Sequence, residues 1–132
     1  MKRITTFTLM LAALTLGCGK ATGSKTFTIA MIAKSSTNPV FLSGRQGAEA
    51  AADSISRATG VQVKIDWLTP PNEDGTVQAQ RIAQAVNGGA NAILLSASDA
   101  GKLVTSVDDA VARGVPVMTF DSDVPGSKRF SF

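Results

Sequence analysis

The chain has 132 residues, with thirteen Lys and Arg against ten Asp and Glu, a single Cys, and neither His nor Tyr. That inventory excludes catalytic triads built on His, metal centres built on His or Cys, and any internal disulfide. No basic block is interleaved with aromatic residues, so the net charge of +3 is not the footprint of nucleic-acid binding.

In chain order, Lys2 and Arg3 come first and are followed by an uncharged, mostly apolar run from Ile4 to Leu16. The run has the length of a secretory h-region and is too short to span a bilayer as a helix. It ends in Leu14-Thr15-Leu16-Gly17-Cys18, an arrangement that resembles the lipobox of bacterial lipoproteins. The resemblance implies that residues 1–17 are a signal removed on export and that Cys18 carries the lipid that anchors the chain to a membrane. A buried structural Cys or a redox thiol is the competing reading of Cys18. Losing Lys2 and Arg3 leaves eleven basic against ten acidic residues, close to neutrality. Residues 18–25 are small and polar, the composition of a flexible tether, and residues 26–132 suffice for one domain with a core but not for two.

From there a single pattern repeats. Phe27 to Ala33 is a continuous apolar run of strand length that stops at the polar loop Lys34-Ser35-Ser36-Thr37-Asn38-Pro39. Phe41, Gly44, Ala48, Ala51, Ala52 and Ile55 recur at helical spacing, with Pro39 in the first turn and Gly60 placed to end the helix. Val61, Val63, Ile65 and Trp67 alternate with polar residues, which predicts a strand near the sheet edge. After the breaker Thr69 to Gly75, the stripe Val77, Ala79, Ile82, Ala83 and Val86 predicts a second helix, stopped at Asn87-Gly88-Gly89. Ala92 to Leu95 is wholly apolar and so predicts a central strand. Leu103, Val104, Val107, Ala110 and Val111 line a third helix, begun at Ser98 or Asp99 and closed by Arg113-Gly114. Val115 to Phe120 predicts a fourth strand with Pro116 at its start.

Alternating strands and helices at this spacing mean βαβ units, hence an α/β fold with a doubly wound parallel sheet in flavodoxin-like order. Beyond the turn-rich loop Asp121 to Gly126, Lys128 to Phe132 reads as the opening of a fifth strand without a covering element. The expectation is a domain cut short at Phe132.

Ligands of open parallel sheets bind beyond the carboxyl ends of the strands. Those ends carry Lys34, Ser35 and Asn38; Trp67 and Thr69; Ser96, Ser98 and Asp99; and Asp121, Ser122 and Asp123. Hydroxyls, carboxylates and a cation beside Phe41 or Trp67 suit a polyhydroxyl ligand with one apolar face. No Gly-x-Gly-x-x-Gly or Gly-x-x-x-x-Gly-Lys-[Ser/Thr] occurs, so nucleotide cofactors lack their phosphate loop, and no cofactor or metal is expected. Several residues also have a purely structural reading. Asn38 and Asp99 are strong helix caps, Asp123 reads as a solvated turn residue, Trp67 as core or rim, and Asp121 as the start of a turn. Lys34 ends an apolar strand and must meet water or an anion.

The runs Ile29-Ala30-Met31-Ile32, Asn38-Pro39-Val40-Phe41, Ala92 to Ser96 and Gly114 to Asp121 resemble the amino-terminal lobe of the type I periplasmic sugar-binding proteins. Lys34, the Thr69-Pro70-Pro71 loop followed by Gln78, and Phe120 to Asp123 are most similar to their rhamnose and autoinducer-2 binding branch. The resemblance implies one lobe of a two-lobe binding protein of an ABC transporter, without catalysis. Its ligand would be a small sugar-like molecule held by Lys34, Asn38, Phe41, Ser96, Asp121 and Ser122. Its partners would be a membrane permease and, through Cys18, the membrane of the periplasm or cell envelope. Two alternatives are a sensor that reports such a signal to a receptor, and a carboxylate-dependent exported enzyme using Asp121, Asp99 and Lys34.

Overall fold

The computed structural model describes residues 26–132, so the apolar leader, Cys18 and the polar stretch through residue 25 lie outside the described residues. The elements run β1 (Thr26–Ile32), α1 (Pro39–Thr59), β2 (Gln62–Trp67), α2 (Gly75–Asn87), β3 (Ala92–Leu95), α3 (Ala100–Ala112) and β4 (Val117–Thr119). All strand pairs are parallel, in the order β2-β1-β3-β4. The half-wet alternation of β2 thus sits at an edge, and wholly apolar β3 lies between two neighbours, because only an inner strand must be apolar on both faces.

Alternate strand residues separate the two layers. Ala30, Ile32, Ile93, Leu95 and Val117 join Ile82, Ala85, Val86, Leu103, Val107 and Ala110 in one core beneath α2 and α3. Ile29 and Leu94 point the other way, toward Ala48, Ala52 and Ile55 of α1. That second layer is thin: in α1 only Phe41 and Ala52 are buried, while Ile55, expected inside, is 49% exposed. A single helix lying over β1 and β2 cannot reach β4, and Met118 on that strand is left open.

Helix ends follow local chemistry. Asn38 caps α1 through its Oδ1, which accepts from the Val40 N–H at 2.9 Å, and Gly60 ends that helix in the left-handed region at φ 72°. Asp74 caps α2 and Asp99 caps α3. The buried face of α2 differs from the expected stripe: Gln78, Ile82, Ala85 and Val86 are inside, and Ala83 is exposed. A polar residue leads this face, so counting apolar residues alone placed the stripe wrongly.

Strand β4 is shorter than the expected Val115 to Phe120. Pro116 precedes it and serves the sheet only as an acceptor, through its carbonyl to the Ile93 N–H at 2.9 Å. Beyond β4, Ser131 bridges Met118 in parallel, the Phe130 N–H donates to the Val117 carbonyl and the Thr119 N–H to that of Ser131. In place of the expected fifth strand over Lys128 to Phe132 there is an isolated bridge at Ser131, with Phe130 and Phe132 exposed.

The first turns of α2 and α3 pack closely at Gly75, where an added Cβ would stand 2.8 Å from Asp99 Cβ. Gly75→Ala is therefore expected to destabilise the fold by about 1–2 kcal/mol, the overpacking exceeding the gain in helix propensity. A fall in the urea midpoint without a change in its slope would show it, and an unchanged or raised midpoint would refute it.

Candidate functional site at the carboxyl edge of the sheet

Three neighbouring strand ends converge on one carboxylate. Lys34 follows β1, Ser96 follows β3, and Asp121 stands two residues past β4. The buried Ser96 hydroxyl donates to Asp121 Oδ2 at 2.7 Å, Lys34 Nζ lies 3.2 Å from the same oxygen, and the Ser122 hydroxyl reaches it at 3.2 Å. Among the described residues no donor reaches Oδ1, and the Asp121 side chain is 46% exposed. One oxygen is thus held by three protein groups, and the other has no protein donor among the described residues. The Lys34 ammonium answers the expectation of an anion at the end of β1.

The backbone aims this group. Asp121, at φ 58°, is the only non-glycine among the described residues in the left-handed region. The Ser122 N–H donates to the Phe120 carbonyl at 2.6 Å, closing a three-residue turn with Asp121 at its apex. Two hydrogen bonds to the β3 side pin that turn, from the Phe120 N–H to the Leu95 carbonyl and from the Ala97 N–H to the Ser122 carbonyl. Such a conformation costs on the order of 1–3 kcal/mol and persists because the surroundings over-determine it.

Other expected residues have internal partners. Asn38 stands at the start of α1 with its Oδ1 engaged in the cap, and Phe41 is only 5% exposed beneath it, while Val40 is open to solvent. The Ser35 hydroxyl donates to the Pro71 carbonyl at 2.8 Å, and Thr69 Oγ1 accepts from the Ala33 N–H at 2.8 Å, so both tie the loop after β1 to the loop after β2. Trp67 is half-buried, with the Arg45 guanidinium 5.5 Å from its ring centroid. Asp99 caps α3 and pairs with Lys102 at 3.7 Å rather than joining Asp121. Asp123 is not the solvated turn residue that its neighbours in sequence imply. Its carboxylate accepts from Thr119 Oγ1 at 2.7 Å and from Arg129 Nη2 at 2.6 Å, which closes the loop beyond β4. No cluster of three metal-ligating side chains occurs among the described residues.

The Ser96 hydroxyl holds the Asp121 carboxyl below its ordinary value; burial opposes it, and Lys34 and Ser122 add to it. Burial alone would raise the pKa of Asp123, but Thr119, the Val124 N–H and Arg129 together bring it below the usual range. The Val77 and Thr76 N–H groups likewise lower Asp74. A carboxyl whose pKa is depressed by folding stabilises the native state above its unfolded value and loses that contribution as the pH falls through the folded value. The urea midpoint is therefore expected to stay flat from neutrality to about pH 4 and to fall below it. Asp123→Asn should show a shallower acid limb, and an acid limb as steep as that of the wild type would remove Asp123 from this account.

Residues 29–132 match the profile of the family described as periplasmic binding protein domain. The chain belongs to that family. Within it, the ribose import binding protein RbsB of Bacillus subtilis (strain 168) is 30% identical over 104 residues, covering 79% of this chain and 32% of the relative. Among solved structures, LsrB from Clostridium saccharobutylicum in complex with AI-2 is 35% identical with a TM-score of 0.67, covering 77% of this chain and 29% of that one. An ABC transporter solute binding protein from Burkholderia graminis C4D1M, in complex with D-arabinose, is 30% identical with a TM-score of 0.71, covering 80% and 34%. The chain thus spans about a third of the length of these relatives, and its four parallel strands and three helices match one lobe of them. The doubly wound parallel sheet was legible from strand and helix spacing, and the binding-protein lobe from the resemblance of the four runs between Ile29 and Asp121. Two features of this domain were not: the buried side chain of Gln78 and the pairing of Asp123 with Arg129.

Proposed function

We propose that residues 26–132 form the amino-terminal lobe of an exported solute-binding protein of a sugar ABC importer. In this reading Asp121 accepts ligand hydroxyls through Oδ1, Lys34 donates to a ligand oxygen beside it, and the remaining contacts come from a second lobe. The observation that carries it is the convergence of Lys34, Ser96 and Ser122 on a single oxygen of Asp121, which leaves the other oxygen without a protein donor at the edge where sheets of this kind bind ligands. A carboxylate can accept two hydroxyl hydrogen bonds, each worth about 1.5–3 kcal/mol when charge-assisted. The Ser96 hydroxyl beside Asp121 is fully buried, away from a ligand at the second carboxylate oxygen, so capture rather than turnover is the chemistry this reading assigns to the site.

The named relatives support a sugar-like ligand, being a ribose import binding protein, a protein in complex with AI-2 and one in complex with D-arabinose. Lipid attachment at Cys18, delivery to a permease and a location in the periplasm or cell envelope belong to the same proposal. Calorimetric titration of the full-length protein with pentoses, deoxyhexoses and autoinducer-like diols tests it. Saturable binding with the ligand recovered unchanged is expected, and residues 26–132 alone should bind weakly or not at all. Micromolar binding by that lobe alone, or consumption of the ligand, would overturn the two-lobe binding reading.

A further inference from the structure

Gln78 sits in the second turn of α2, fully buried, in a position where an amphipathic helix normally places an apolar residue. Its amide is nearly saturated. Nε2 donates to the Ala33 carbonyl at 3.0 Å and to the Ser96 carbonyl at 2.8 Å, and Oε1 accepts from the Ser98 N–H at 2.8 Å. These partners come from the end of β1, the end of β3 and the loop that leads into α3. The parallel ladder between β1 and β3 stops at this point; its last bond runs from the Ser96 N–H to the Ile32 carbonyl at 3.0 Å. Beyond it the Ala33 and Ser96 carbonyls have no strand partner, and an unpaired buried carbonyl is costly.

We infer that Gln78 is the positioning residue of the ligand site, its side-chain amide fixing the separation of the strand ends that carry Lys34 and Ser96. The Ala33 carbonyl shares its peptide unit with the Lys34 nitrogen, so holding that carbonyl sets the direction in which Lys34 leaves β1. The Ser96 carbonyl belongs to the residue whose hydroxyl holds Asp121 Oδ2. No other side chain serves this geometry. Met has the length without donors or acceptor, Glu lacks the two N–H groups, and Asn is one methylene short. The inference rests on the reading of Asp121 as the ligand carboxylate, but the coupling of Gln78 to Asp121 is measurable without any ligand.

In the wild-type protein, the Gln78 side-chain amide resonances are expected to shift with the midpoint of the Asp121 carboxyl titration, both followed by NMR. The carboxylates of Asp74 and Asp99 flank α2 and the Ser98 loop, and the Thr76 and Lys102 amides that they cap are followed separately as controls. Gln78→Met and Gln78→Glu are each expected to return the Asp121 titration toward its ordinary value, because Ser96 is no longer held against Oδ2. Ile82→Ala, in the same helix and buried in the core, should lower stability while leaving that titration where it is. Gln78 resonances that stay flat through the Asp121 midpoint would overturn the proposal whether or not the variants fold. So would a folded Gln78→Met or Gln78→Glu protein with an unmoved Asp121. If the coupling holds but sugar affinity survives in these variants, Gln78 does not position the ligand site and the inference fails, whereas affinity retained in Asp121→Asn is the separate result that would remove Asp121 as the ligand group.

Discussion

Asp121→Asn in the full-length protein is expected to weaken sugar affinity at least tenfold, about 1.4 kcal/mol, while leaving the melting temperature of the unliganded protein nearly unchanged. The substitution keeps the shape and tolerates the left-handed backbone that Asp121 adopts at φ 58°. It removes the negative charge, and with it the pull on Lys34 and the strong acceptor at Oδ1. The ion pair is partly open to water, with side-chain exposures of 22% and 46%, so its loss should cost the resting fold little. The competing view is that Asp121 merely builds its turn. Against it, the turn is closed by the backbone, from the Ser122 N–H to the Phe120 carbonyl, and the Asp121 carboxylate accepts from hydroxyls and an ammonium, not from turn N–H groups. A variant that loses stability but keeps its affinity would establish the turn view and withdraw the site from this edge.

The second large effect is expected at Cys18. Cys18→Ser should convert a detergent-extractable, acylated protein into one released from membranes, as read by cell fractionation and mass spectrometry of the mature amino terminus. The argument is one of area. Each methylene buried in a bilayer contributes about 0.8 kcal/mol, a single acyl chain gives only marginal and reversible attachment, and two or more make it stable. Cys18 is the only thiol of the chain and directly follows the apolar run, so no other residue can substitute for it. A wild-type protein that is cleaved but carries no lipid would sink this prediction.

Much of the architecture could be read from spacing because it is set locally. The alternation of Val63, Ile65 and Trp67 with polar residues marks a strand with one wet face, and Ala92 to Leu95 admits no wet face at all; these became the edge strand β2 and the inner strand β3. Asn38, Asp99 and Gly60 act within one turn of their own helix ends, so their capping roles follow from residue type. Lys34 and Asp121 were legible as site candidates because topology alone puts both beyond strand ends.

What remained hidden depends on partners distant in sequence. Gln78 was named only for its likeness to one branch of the family, with no role attached, since nothing local announces that carbonyls 45 and 18 positions away need its amide. Asp123 looked solvated until the chain folded Arg129 and Thr119 against it. Ser35 and Thr69 carried ligand-like hydroxyls, and only the packing of two loops decided that those hydroxyls would join the loops. In each case the local chain leaves a polar group with several equivalent uses. Burial then removes water as a partner, and the three-dimensional arrangement decides which use remains.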